Sequence, residues 1–362
     1  MAADDSSPRT QTKEETEEEG HAGGVEENPF VVKFSWVEET RTREYEVYLK
    51  IKDVARSDDE VKGHVPDLVD HTAFDGTSTS VIRNALGVPI RGSRLLVAIV
   101  FKRLDGTIRD LSGAEYWKVY WETFLCEFTF FHQISTRFLY FLPSGHYGLW
   151  MQGVFHRDIS DGNLMYRRDK NTREVTGVLA DFDLSSLDSK TCRNTERTGT
   201  VPFMALNLLS EKALQGEVKH DYAHDAESFF WVGAYDTACY DNGRVVDSAV
   251  PTQWNSLGAI AMCKEKTFYI HNDTHLPTPS QEVVWNGLFS LQVLLTQAQI
   301  FHRPKEQDLS KSKSLELQGL LPQPHDPSIL RPDVLRERFL RARETAEKVH
   351  PSLLNQTPLP SL

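Results

Sequence analysis

Residues 153–163 read Gly153-Val154-Phe155-His156-Arg157-Asp158-Ile159-Ser160-Asp161-Gly162-Asn163, and residues 178–183 read Val178-Leu179-Ala180-Asp181-Phe182-Asp183. A carboxylate at 158 is followed five positions later by a carboxamide at 163, and a second carboxylate at 181 stands behind a short apolar run. Leu164–Tyr166 and Val178–Ala180 have strand character and flank a polar stretch from Arg167 to Thr176, the pattern of a hairpin. Val154–Phe155 reads as a further short strand. A His-Arg-Asp tripeptide alone carries little weight; its ordered company carries more.

The spacing resembles that of protein kinases, where Asn follows the Asp of His-Arg-Asp by five residues. The resemblance implies that Asp158 accepts or orients the proton of an attacking hydroxyl. It also implies that Asn163 turns back to hold a magnesium ion on the nucleotide. Asp181 falls where kinases carry Asp-Phe-Gly, whose Asp binds the metal bridging the phosphates. The third position here is Asp183. Glycine would permit backbone angles that Asp tolerates less well, so Asp183 is expected to restrict flipping of this loop, the alternative being a second carboxylate for metal. Thr198-Gly199-Thr200-Val201-Pro202-Phe203-Met204-Ala205 resembles the end of a kinase activation segment, with Thr200 expected to bond to Asp158. Ala205-Leu206-Asn207 replaces the usual Ala-Pro-Glu, so the glutamate that normally ion-pairs there is missing. Asp225 and Ser228, within His224–Trp231, match a helix whose Asp braces the catalytic loop.

The wording resembles one family in particular, the fungal-type protein kinases. Likeness is carried by Val32-Lys33-Phe34-Ser35-Trp36, by Gly153–Ser160 with Gly162-Asn163, by the Asp-Phe-Asp triplet, by Gly199-Thr200 with Pro202–Ala205, and by His224-Asp225 with Glu227-Ser228. It implies an α+β, two-lobed kinase-like fold with a truncated N-lobe sheet and a mainly helical C-lobe, using ATP and Mg2+. On that reading 1–28 is a disordered acidic tail, 29–111 a partial N-lobe, 112–350 the C-lobe and 351–362 a C-terminal tail. Lys33 matches the strand lysine that holds the α- and β-phosphates, and Glu46 the helix glutamate that pairs with it, with Glu44 competing. Arg157 can pair with a phosphate on the activation segment, for which Thr195 or Thr198 is the expected acceptor. No Gly-x-Gly-x-x-Gly precedes Lys33, which leaves the nucleotide covered on one side only.

Outward from these motifs the chain is less explicit. Phe30–Trp36 and Arg94–Lys102 read as strands and Ser112–Cys126 as a helix. Glu44–Ala55 is ambiguous: Val47, Leu49 and Ile51 alternate, yet Val47, Ile51, Val54 and Ala55 share a helical face, and the longer set favours helix. A final helix is expected over Pro332–His350. Phe124–Leu142 is aromatic enough to suggest a membrane span, but Glu127, His132 and Arg137 interrupt it, so a buried or misplaced segment is the better reading. Residues 127–145 interrupt what should be one helix running into His146.

Of the net charge of −12 on 362 residues, the first 28 residues hold nine acidic and two basic side chains. The mildly acidic remainder argues against nucleic acid as the main partner. Cys126, Cys192, Cys239 and Cys263 show no paired spacing, which argues against a structural zinc or a disulfide framework. With no apolar signal region, an intracellular place, cytoplasmic or nuclear, is expected, with a protein substrate of unknown identity and no membrane partner. Three functions compete: a Ser/Thr-type protein kinase, a small-molecule kinase of the choline or aminoglycoside type, favoured by the Asp-x-Asp triplet, and a catalytically impaired kinase-shaped interaction module.

Overall fold

The computed structural model describes residues 29–57, 61–89, 92–124, 145–187, 199–246, 250–272, 276–289, 291–292 and 331–354. The acidic tail, the aromatic stretch at 125–144, and Thr195 and Thr198 lie outside them.

Alternating large side chains make β1, Phe30–Glu38, which pairs antiparallel with β3, Arg94–Lys102; β2, Leu68–Ala73, pairs on the other side of β3, giving the order β1-β3-β2. Lys33 stands opposite Ile99, and Ser35 opposite Val97. The period of two therefore puts Lys33 on the face where Val37, Val97 and Ile99 are buried. The ambiguous segment is a helix, α1, Glu44–Ser57. Val47, Ile51 and Val54 are buried, whereas Leu49, which a strand would have placed with Val47 and Ile51, is 42% exposed. The helical period decided the structure.

A second sheet, β4-β5-β6, combines Gly106–Thr107, Leu164–Arg168 and Val175–Leu179. β5 and β6 are the expected hairpin, Leu164 opposite Leu179. Asp169 Oδ1 closes its turn by accepting from the amides of Asn171 and Thr172, both at 2.8 Å. The expected strand at Val154–Phe155 is reduced to one bridge between Phe155 and Ser186. The loop after α1 fastens to this hairpin: Leu179 N donates to His64 O at 2.9 Å. Arg167 donates to the carbonyls of Gly63 and Val65 at 2.7 and 2.8 Å.

Behind the hairpin lie the helices. α3, Gly113–Phe124, buries Trp117, Tyr120, Trp121 and Phe124; α2, Thr79–Ala85, precedes β3. α4 is Gly145–Met151 and α5 Glu211–Leu214. α6, Tyr222–Cys239, is buried at every residue but Ala223, so it is apolar-packed all round and forms the centre of the molecule. α7 is Ala259–Asn272, and helical residues follow at 282–289. The C-terminal helix α8, Pro332–Val349, sets Phe339 against Phe124 with ring centroids 5.0 Å apart, and Glu347 accepts from Trp117 Nε1 at 3.0 Å. The fold class is α+β. Among the described residues no helix is long and apolar enough to cross a membrane.

β6 lies directly on α3. Gly177 N donates to the buried Glu122 carboxylate at 2.7 Å, and a Cβ at Gly177 would stand 2.8 Å from Val119 O and 3.0 Å from Glu122 Cβ. Backbone cannot retreat as a flexible side chain can. Gly177→Ala is therefore expected to destabilise the protein by about 1–3 kcal/mol, read as a lower urea midpoint at constant m-value; an unchanged midpoint would contradict this packing.

Candidate active site

The inward face of β1 delivers Lys33 to two carboxylates. Its Nζ lies 2.7 Å from Asp181 Oδ1 and 2.8 Å from Glu44 Oε2. Glu44 also accepts from Phe182 N at 3.2 Å through Oε1, so one side chain joins β1, α1 and the Asp181 loop. Burial would lower the Lys33 pKa, but Glu44 and Asp181 outweigh it and leave the ammonium above its ordinary value. Burial likewise opposes ionisation of Asp181, and Lys33 overcomes it, holding that carboxyl below the usual range. Glu44 differs: burial dominates the pull of Lys33 and pushes it up to about 7. Lys33 and Asp181 are thus firmly charged, and Glu44 is the member that titrates near neutrality.

The expected partner of Lys33, Glu46, does not reach it. Two residues along a helix turn the side chain through about 200°, so Glu44 and Glu46 cannot both face β1. Glu46 instead caps the start of α1, accepting from Arg43 N at 2.9 Å.

Asp181 has φ +60° and Arg157 φ +69°, both left-handed and neither glycine. The backbone demand in the triplet therefore falls on Asp181 rather than on Asp183, whose φ is not positive. Asp183 N donates back to Asp181 Oδ1 at 3.3 Å. Phe182 is fully buried, edge-on to Tyr48 at 5.2 Å and to His156 at 4.7 Å. His156 Nδ1 accepts from Asp158 N at 3.3 Å, so its Nε2 carries the proton and donates to Ala180 O at 3.0 Å. Burial keeps its pKa below the ordinary value.

Asn163 and Asp181 sit at adjoining ends of the hairpin, with Ala180 N donating to Asn163 O at 2.8 Å. Asn163 Nδ2 donates to Asp158 O at 2.8 Å, which fixes the amide and leaves Oδ1 as its acceptor end. Thr200 donates to Asp158 Oδ1 twice, from N at 2.8 Å and from Oγ1 at 2.9 Å. Gly199, at φ +126°, lets that strand approach: a Cβ there would meet Met204 Cγ at 3.2 Å and Arg157 O at 3.4 Å.

Below the loop, Arg157 N donates to Asp225 Oδ2 at 3.2 Å. Two histidines also hold Asp225, which is 1% exposed: His146 Nε2 at 2.8 Å and His220 Nε2 at 2.6 Å. Burial alone would raise the Asp225 pKa; His220 and His146 more than reverse this, keeping it well below the usual range. Ser228 serves its own helix, donating to His224 O at 3.0 Å. Neither His146 nor His220 was marked by any motif spacing, nor was Arg109, which reaches Asp161 at 3.5 Å and the Tyr240 hydroxyl at 3.2 Å.

Asp181, held ionised, and the Asn163 carboxamide, whose backbone is bonded to the residue before Asp181, are hard oxygen donors of the kind a divalent cation takes. Magnesium commonly takes only one or two carboxylates from protein at such sites. Among the described residues no three His, Cys, Asp or Glu side chains gather into a metal cage of their own.

Residues 144–235, from the start of α4 into α6, match the family described as fungal protein kinase. No curated protein matches the chain significantly. The matched stretch contains Asp158, Asn163, Asp181, Thr200 and Asp225; Lys33 and Glu44 lie before it.

Burial lowers the His220 pKa despite the adjacent Asp225. As pH falls through about 6.5, an unfolded histidine takes up a proton that folded His220 refuses. The stability it contributes is thus present above that pH and lost below it, at most about 1.4 kcal/mol per pH unit. Asp225 acts with the same sign at lower pH. From pH 7.5 to 5.5 the urea-unfolding free energy of the wild type should fall more steeply than that of His220→Gln; parallel slopes would refute the assignment.

Proposed function

We propose that this chain, whose residues 144–235 carry a fungal protein kinase family domain, transfers the γ-phosphoryl group of ATP to a protein hydroxyl of the Ser/Thr type. The supporting observation is the gathering of a strand lysine, two carboxylates and a carboxamide around one hairpin end. Lys33 contacts both Glu44 and Asp181, and Asn163 is bonded both to Ala180, next to Asp181, and to Asp158. On this reading residues 29–111 form the smaller lobe, 112–350 the larger, and the cleft between them takes the nucleotide.

Each residue then has a task. Lys33, oriented by Glu44, holds the α- and β-phosphates. Asp181 and Asn163 hold magnesium, which supplies neutralisation of the phosphate charge. Asp158, steadied by Thr200 and by the Asn163 amide, accepts the hydrogen bond of the acceptor hydroxyl and orients it for in-line attack. Arg157 remains the candidate receiver of a phosphate on the activation segment. The second carboxylate of the triplet, Asp183, favours a small-molecule acceptor as the competing reading. The ordered segment from Thr200 to the 3-10 turn Leu206–Leu209 favours a peptide.

The test is transfer from radiolabelled ATP with magnesium to dephosphorylated casein. Asp158→Asn should lower turnover by about 10²–10⁴-fold. Glu44→Gln should weaken ATP use as Lys33→Met does, whereas Glu46→Gln should not. Equal transfer by wild type and Asp158→Asn would end the reading; labelling of small alcohols without casein would favour the competitor.

A further inference from the structure

We propose that Glu227 and Lys266 act as positioning residues that clamp residues 203–206 into a platform for the acceptor protein, replacing the ion pair that the missing glutamate at position 207 would have made. The proposal deepens the kinase reading and rests on it for its kinetic consequence.

Lys266, on α7, is fully buried, and its Nζ donates to Met204 O at 2.7 Å. The ammonium lies 4.4 Å from the centre of the Trp231 ring and 5.9 Å from that of Trp254. Glu227, on α6, is also buried; its Oε1 accepts from Leu206 N at 2.8 Å and from Trp231 Nε1 at 3.0 Å. One residue thus takes a carbonyl of the segment and the other an amide two positions on, while both share Trp231. Cys263, one turn before Lys266, adds its Sγ to Leu206 O at 3.8 Å.

Burying an amine or a carboxylate is costly unless it finds hydrogen-bond partners. Burial pushes the Lys266 pKa well down, and Glu227 is the foremost group opposing that shift. Two buried ionisable groups aimed at backbone atoms, with no part in the phosphate site, need a reason. Asn207 stands where the related pattern has glutamate and is directed to His224 at 3.3 Å. The segment is otherwise anchored at its other end, where Thr200 is bonded to Asp158. A platform pinned at both ends keeps a docked hydroxyl in register with Asp158, and small misplacements there are costly to rate.

The experiment compares full-length wild type, Lys266→Met, Glu227→Gln and the double variant. Three quantities are read: amide exchange over residues 203–209, KM for dephosphorylated casein, and the Kd for ATP with magnesium. Lys266→Met should raise exchange and casein KM each by roughly tenfold, the loss of one buried hydrogen bond, with the ATP Kd within about twofold. If it fails to fold, the double variant, which leaves no unpaired buried charge, should fold and show the same two increases. Unchanged exchange overturns the clamp; raised exchange with unchanged casein KM overturns its role in acceptor binding, as does an ATP Kd that rises in step with KM. A wild type that binds ATP yet never labels casein would instead defeat the kinase reading, and the exchange result would still decide the clamp.

Discussion

Two buried carboxylates hold the loops at Arg157 and Asp181 in a conformation their backbones would not choose. Arg157 and Asp181 are both left-handed, a state that costs a non-glycine residue about 1–2 kcal/mol. Asp225 accepts from the amide of Arg157 itself, and Glu44 from the amide of Phe182, next to Asp181. A hydrogen bond to a charged group contributes about 1.5–3 kcal/mol. Each bond is therefore large enough to offset the strain beside it, and neither leaves much surplus.

The two carboxylates are not equivalent. Asp225 lies in the most buried helix, is held ionised by two imidazoles, and accepts from the amide of the lower loop. Glu44 lies on α1, carries a pKa near 7, and depends on Lys33 for its charge. Between them Tyr48, Phe182 and His156 stack edge to face, so a shift of α1 is felt at Phe182 and then at His156. The lower half of the site is rigid by burial, and the upper half is conditional on an ion pair.

Much of this was legible in the sequence because it is local. The spacing of Asp158, Asn163 and Asp181 is set by one loop and one hairpin, and hairpin geometry alone returns Asn163 to the side of Asp181. What was not legible is long-range. Choosing Glu44 over Glu46 requires the rotational phase of α1 against β1. His146 and Asp225 are 79 positions apart, and Lys266 lies 62 from the carbonyl it caps. A lone histidine or lysine in sequence carries no sign that it will be buried against a carboxylate or a tryptophan face.

The Asp181-Phe182-Asp183 triplet shows how one residue can combine two local demands. The left-handed backbone of the triplet falls on its first residue, Asp181. Asp is among the few side chains that tolerate the left-handed region, and Asp181 uses the same carboxylate to accept from Asp183 N and to bind Lys33. One carboxylate thus makes the ion pair with Lys33 and the local hydrogen bond that makes its own backbone acceptable. Asp183, whose φ is not positive, carries its own carboxylate without left-handed strain and donates its amide to Asp181.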